Sequence, residues 1–275
     1  MLLIGGNGYV GSRVAAVAAN GRLDVQVVSR TGAPALGRPT VAWADLEQQM
    51  HRQPGPVSIV WLLDGAKHAE TDRLADLLTW TSPATHVVLV STCTLYGDQH
   101  GQLCTEETPL QLVTPHAHLK TTCEQMLADS GLSWCVLRFG ALYGVDDRGI
   151  RADRVQKWVT QAAEVGVVTV PEPTHWRGWL HRDQAARALV RAASQRTTGL
   201  FNVASANLTF GDAARTAAGL FDARVEDDGK PDPCNYQVDS TAARRRGLLD
   251  EHPAEDLPSC TRAFAAARTP ADRQP

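Results

Sequence analysis

The chain has 275 residues, with 27 Lys and Arg against 30 Asp and Glu and a formal net charge of −3. That balance argues against nucleic acid or an anionic membrane surface as a partner. A hydrophobic content of 43% and a charged content of 21% are those of a soluble globular protein long enough to bury a sizeable core. No apolar run approaches the roughly 18 residues that would span a bilayer, and the first residues run into a glycine turn rather than a signal peptide. The six cysteines (Cys93, Cys104, Cys123, Cys135, Cys234 and Cys260) form no CxxC pair and no zinc-spaced cluster with histidine. No metal is therefore expected, and the cysteines read as reduced thiols of a cytoplasmic protein.

Strands and helices alternate along the first half. Met1 to Ile4 reads as a short apolar strand, and Val10 to Ala19 as a helix stopped by Asn20-Gly21. Strands follow at Val25 to Ser29 and Val41 to Trp43, then a short helix over Leu46 to Arg52. Val57 to Leu63 and Val87 to Val90 have the continuous apolar character of buried parallel strands. Between them Glu70 to Trp80 carries Leu74, Leu77 and Leu78 at helical spacing. After a polar loop, Pro115 to Asp129 is predicted helical, with Thr114 as its cap and Pro115 at its first position. Trp134 to Phe139 is a further strand. This order implies an α/β fold built on a Rossmann-type, doubly wound parallel sheet.

Past Tyr143 the pattern loosens. A helix at about 153–164, a strand at Val167 to Val170, a loop from Glu172 to Trp176, a helix at Asp183 to Ser194, a short strand at Leu200 to Val203 and a helix at 210–222 are expected. Asp227 to Pro233 reads as a loop, and Arg244-Arg245-Arg246 as a solvated helix face. The domain reading is a nucleotide-binding unit over 1–144, rejoined by 181–205. A small C-terminal substrate lobe comprises 145–180 and 206–268, and 269–275 forms a disordered tail.

Gly5-Gly6-Asn7-Gly8-Tyr9-Val10-Gly11 follows a strand and opens a helix at the start of a βαβ unit. Its glycines suit a tight turn, the approach of a pyrophosphate to bare backbone, and close helix–strand packing. The helix N-terminus adds N–H donors for the phosphates. The loop from Gly5 through Asn7, Gly8, Tyr9 and Val10 to Gly11 is therefore expected to hold a dinucleotide. At the end of the second strand Ser29-Arg30-Thr31 stands where an acid would select the ribose 2′-OH of NAD. Arg30 could pair with a 2′-phosphate, with Arg13 as a second partner. NADP(H) is the favoured cofactor on this reading and NAD(H) the other. Asp45-Leu46, after the third strand, fits either bonding of the adenine or a helix start.

The chain resembles an extended or atypical short-chain dehydrogenase/reductase of the NAD(P)-dependent epimerase/dehydratase superfamily. The residues that carry the resemblance are Gly5 to Gly11, Val90-Ser91-Thr92-Cys93-Thr94-Leu95-Tyr96-Gly97, Leu137-Arg138-Phe139-Gly140-Ala141-Leu142-Tyr143-Gly144, Trp179-Leu180-His181-Arg182-Asp183 and Gly199-Leu200-Phe201-Asn202-Val203. The resemblance implies a hydroxyl that holds the substrate oxygen, at Thr92, and a Tyr-x-x-x-Lys helix whose lysine binds the ribose and lowers the tyrosine pKa. Here that helix reads His116-Ala117-His118-Leu119-Lys120. Lys120 is in place, and His116 stands where the tyrosine would be. Residues i and i+4 share a helix face, so both can reach the same site, whereas His118 projects roughly 200° away. Imidazole titrates near neutrality and could move the proton itself.

Some atypical relatives also lack the tyrosine, and they share Tyr96-Gly97-Asp98, Glu106-Glu107-Thr108-Pro109 and Leu127 to Leu132. Tyr96 reads as packing beneath its loop or as a proton carrier, and Asp183 as a helix cap. Trp176 and Trp179 read as an aromatic wall of the substrate cleft or as core. The implied activity is an NADP(H)-dependent oxidoreductase acting on a small carbonyl or alcohol, the short second lobe favouring a small substrate. The alternatives are a redox-neutral epimerase or dehydratase, and an inactive NADP-binding sensor or scaffold. Homodimers are common in the superfamily.

Overall fold

Side-chain alternation along the first strands decides the layering. β1 (Leu2–Ile4), β2 (Gln26–Ser29), β4 (Ser58–Trp61) and β5 (His86–Thr92) send Leu3, Val27, Val60 and Val88 into one hydrophobic layer. Leu2, Ile4, Val28, Ile59, Trp61, Val87 and Leu89 enter the other, as a period of two on a pleated strand requires. The first layer is closed by α1 (Tyr9–Asn20) and α6 (Arg182–Ser194), the second by α2 (Trp43–Arg52), α3 (Glu70–Trp80) and α4 (Pro115–Asp129). With both faces covered, the strands can be apolar on both sides. The computed structural model describes residues 1–30, 32, 37–38, 40–52, 57–64, 69–146, 153–251 and 255–267.

With β3 (Thr40–Ala42), β7 (Ser133–Phe139) and β11 (Gly199–Val203), these strands form a seven-stranded, wholly parallel sheet in the order β11-β7-β5-β4-β1-β2-β3. The chain leaves β1 in one direction for β2 and β3, then returns to lay β4 on the opposite side. The crevice beyond the ends of β1 and β4 is thus the topological switch point, where such sheets bind ligands.

A second core gathers Tyr143, Trp158, Trp179, Phe210, Leu257 and Phe264 with their neighbours. It lies among α5 (Arg154–Val165), α7 (Phe210–Ala218) and α9 (Leu257–Ala267), a three-stranded sheet of β8 (Ala141–Tyr143), β10 (Trp176–His181) and β12 (Ala206–Thr209), and the pair β9 (Val167–Val170) and β13 (Arg224–Asp227). The segment read as a polar loop after β5 instead holds a 3₁₀ turn (Cys93–Tyr96) and β6 (Asp98–Cys104), which pairs with β14 (Asn235–Val238). The 210–222 helix stops at Ala218, where Gly219 follows, and Trp176 belongs to a strand rather than to a loop. All six cysteines are buried and free. Among the described residues no helix is long and apolar enough to cross a membrane. The tail read as disordered lies outside the described residues.

Candidate active site

The glycine loop leaves β1 at the switch point. Gly5 has φ +82°, and a Cβ there would meet the Leu62 carbonyl oxygen at 3.1 Å. A Cβ on Gly11 would fall 2.3 Å from the Gly5 carbonyl oxygen and 2.6 Å from the Gly6 Cα, so only glycine lets α1 sit this close to β1. The Gly8 N–H donates to the Gly5 carbonyl at 3.0 Å, and Gly8 opens α1 with no side-chain cap. The result is a backbone cradle at a helix N-terminus, which fits a dinucleotide pyrophosphate.

Tyr9 offers that cradle only its main chain. Its ring lies under the Arg182 guanidinium at 4.8 Å, and its single hydroxyl proton is shared between the Gly144 carbonyl at 2.7 Å and Asp153 at 3.1 Å. Asp153 also accepts from the Gly144 N–H at 2.8 Å and from the Val155 N–H at 2.6 Å, capping α5. Arg182 donates to the Tyr9 carbonyl and the Ser12 hydroxyl.

At the end of β2, Arg30 is exposed, and the Ser29 hydroxyl accepts from the Gly32 N–H at 3.1 Å; Thr31 lies outside the described residues. Arg13 forms a two-pronged ion pair with Asp183, both contacts 2.6 Å. Asp45 is exposed in the first turn of α2, which already begins at Trp43, so it is not the cap of that helix. The Leu46 side chain is wholly buried, leaving its main chain as the part a ligand could reach.

Thr92 ends β5. Its hydroxyl accepts from the Thr94 N–H at 3.2 Å and lies 3.0 Å from the Thr94 hydroxyl. Thr94 is a second hydroxyl that the sequence reading did not single out. Thr114 caps α4 by accepting from the Ala117 N–H at 3.1 Å, which sets the phase that puts His116 and Lys120 on one face and leaves His118 exposed.

The His116 imidazole is 39% exposed, with Nδ1 3.7 Å from an Asp64 carboxylate oxygen. Desolvation pulls its pKa below the ordinary histidine value, against the raising effect of Asp64. The Lys120 charge also lowers it, and the Glu70 charge raises it. Lys120 is buried, and its ammonium donates to the Leu63 carbonyl at 2.8 Å, the Glu70 carboxylate at 2.7 Å and the Val90 carbonyl at 3.1 Å. An ammonium has three protons to give, so here all three are bonded within the protein, and a ribose contact by Lys120 would require exchanging one of these bonds. Glu70, at the start of α3, is fully buried and also accepts from the Trp61 indole N–H at 3.0 Å. In the sequence it looks like an ordinary acid in a first helical turn.

Other candidates are structural. Tyr96 is buried, donates to Asn202 at 2.7 Å and accepts from Arg138, itself paired with Glu124; burial raises its pKa. Cys93 is buried with its thiol pKa pushed up by desolvation. The cap of α6 is His181, whose Nδ1 accepts from the Asp183 N–H at 3.1 Å, so Asp183 is not the cap but the partner of Arg13. Trp179 is core. Arg177 is buried over the Phe210 and Tyr236 rings and paired with Asp232.

Known proteins place this geometry. The model of the NAD dependent epimerase/dehydratase family matches residues 65–204. No curated protein sequence matches. Among solved structures, UDP-glucose 4-epimerase from Thermus thermophilus in complex with NAD is 18% identical, with a TM-score of 0.78 over 97% of this chain and 99% of that one. A NAD-dependent NDP-hexosamine 5,6-dehydratase involved in tunicamycin biosynthesis is 18% identical, with a TM-score of 0.81 over 98% of both chains. The dTDP-glucose 4,6-dehydratase of Bacillus anthracis in complex with NAD is 17% identical, with a TM-score of 0.80 over 97% and 96%.

Because this chain covers nearly the whole of these enzymes, the size of its second lobe does not argue for a small substrate. The expected NADP(H) preference is also overturned. Similar structures that hold a cofactor, such as the epimerase and the 4,6-dehydratase above, hold NAD, and the arginine that was to join Arg30 on a 2′-phosphate is neutralised by Asp183. A glycine cradle at the switch point, a hydroxyl at the end of β5 and a match over half its length make this chain a member of the NAD dependent epimerase/dehydratase family.

Proposed function

We propose that this protein is an NAD-dependent epimerase or dehydratase of nucleotide sugars, redox-neutral over each turnover. One observation carries the reading. The Lys120 ammonium reaches the Val90 carbonyl, two residues before Thr92, and so fixes α4 against the end of β5. His116, one turn earlier on the same helix face, then stands at the edge where Thr92 ends. Support for the substrate class comes from the similar structures, which are enzymes of UDP-glucose, dTDP-glucose and an NDP-hexosamine.

In this reading the main chain from Gly5 to Gly11 holds the pyrophosphate, with Asn7 at the turn. Ser29 and Arg30 flank the adenosine ribose, and Asp45 with the Leu46 main chain lies at the adenine. When bound, NAD supplies a nicotinamide carbon that takes a hydride from the sugar and returns it. Thr92 donates a hydrogen bond to the sugar oxygen. His116, held neutral by its lowered pKa, accepts the hydroxyl proton, and Asp64 at 3.7 Å stabilises the imidazolium that results. Lys120 fixes the helix through its bonds to Leu63, Glu70 and Val90.

The test is to incubate the purified protein and NAD with UDP-glucose and, separately, dTDP-glucose, following the sugar by NMR and the cofactor at 340 nm. Conversion to a C4 epimer or a 4-keto-6-deoxy product without accumulating NADH is expected. Stoichiometric NADH release, or turnover of simple carbonyls with neither sugar nucleotide changed, overturns the proposal.

A further inference from the structure

We propose that Glu70 is a positioning residue that offsets the charge of Lys120 at His116, so that an imidazole can carry a proton where it stands. The inference deepens the reading of His116 as acid and base and rests on it. Lys120 is one helical turn from His116, and a cation that close discourages an imidazole from accepting a proton. The Lys120 ammonium cannot be screened by water, because it is 4% exposed and bonded on all sides by protein. Its only anionic partner among those three is the Glu70 carboxylate at 2.7 Å, which is wholly buried.

Glu70 reaches this point from α3, a different helix, and the Trp61 indole N–H holds the same carboxylate oxygen from β4 at 3.0 Å. Three elements thus converge to keep one carboxylate against one ammonium. The charged groups acting on His116 among the described residues are Asp64 after β4, Glu70 on α3 and Lys120 on its own helix. Asp64 is 79% exposed, so solvent weakens its field. Asp64 nonetheless acts on the imidazole more strongly than either of the other two, and Glu70, the buried anion of the set, offsets the Lys120 cation in part.

The measurement is the titration of the His116 imidazole by heteronuclear NMR in the NAD-loaded full chain. Glu70→Gln leaves Lys120 uncompensated, and the His116 midpoint is expected to fall by about one pH unit. The double variant Glu70→Gln with Lys120→Met removes both charges, and its midpoint is expected within about 0.3 unit of the wild type. A folded Glu70→Gln protein with an unmoved midpoint overturns the inference. If the single variant does not fold, the double variant decides alone, since a displaced midpoint there means that the two charges do not offset each other at His116. Intact turnover after His116→Gln would instead remove the acid and base role, while the titration would still report on Glu70.

Discussion

Replacing Gly11 by alanine asks the structure for space it does not have. The new methyl would lie 2.3 Å from the Gly5 carbonyl oxygen, 2.6 Å from the Gly6 Cα and 2.8 Å from the Gly6 carbonyl carbon. All three are main-chain atoms at the end of the central strand. Relief to ordinary contact distance moves α1 or the loop by about 1 Å. Val14, Ala15 and Ala18 follow Gly11 on the same face of α1 and are each no more than 1% exposed, so lifting the helix would open that packing against the sheet. Overpacking of this kind costs about 1–3 kcal/mol, and here the upper end is expected.

Gly8→Ala is the control. Its φ is −75°, which any residue adopts, and its methyl meets only the Gly5 carbonyl oxygen, at 3.2 Å. The remaining space around that methyl is where the pyrophosphate would lie. Gly8→Ala should therefore cost under about 1 kcal/mol of stability while weakening NAD at least tenfold, or about 1.4 kcal/mol. Gly11→Ala should lose both. Urea unfolding without cofactor and calorimetric titration with NAD separate the two effects. A Gly11→Ala protein as stable as the wild type, or a Gly8→Ala protein with undiminished NAD affinity, refutes the reasoning.

Three further outcomes are expected. His116→Gln should lower kcat by about 100-fold or more and leave the Kd for NAD unchanged, because the imidazole's ion pair is with Asp64 rather than with the glycine loop. Lys120→Met, which strands the buried Glu70 carboxylate, should destabilise the fold by about 3–5 kcal/mol in denaturant titrations; a loss below 1 kcal/mol would show that the pair is not needed. His86 opens β5 fully buried, and desolvation, aided by Arg196, lowers its pKa to about 4. The unfolded chain then takes up this proton first as pH falls, so stability is lost between about pH 6.5 and 4 and not further below, by about 3 kcal/mol in all. His86→Gln should flatten that part of the stability–pH curve.

Where local chemistry is decisive, the sequence was readable. Thr114 and Pro115 mark the start of α4, which runs from Pro115 to Asp129 as expected. The apolar run over β9 gives its limits, Val167–Val170. The glycine spacing foretold the close approach of α1 to β1. The elements that went unread are those whose reason lies far along the chain. β6 is polar, turns through positive φ at His100 and Gly101, and exists because β14, more than 130 residues on, pairs with it. Arg13 looked like a phosphate ligand because Asp183, 170 residues away, is not visible from its neighbourhood. Glu70 sits where an acid suits a helix dipole, and its burial against Lys120 depends on how α3 and α4 pack. Charge–charge pairing across the fold has no periodicity, and so leaves no pattern to read.

The bridge from Tyr9 to Asp153 and Gly144 gives the fold a mechanical property. Tyr9 is the first residue of α1, directly after the phosphate cradle, and Asp153 caps the first helix of the second core. A displacement of that helix therefore pulls on the cradle through a single side chain, without passing through the intervening sheet. By thermodynamic reciprocity, a ligand that favours one arrangement of the cradle would favour the matching placement of that helix, before any substrate arrives.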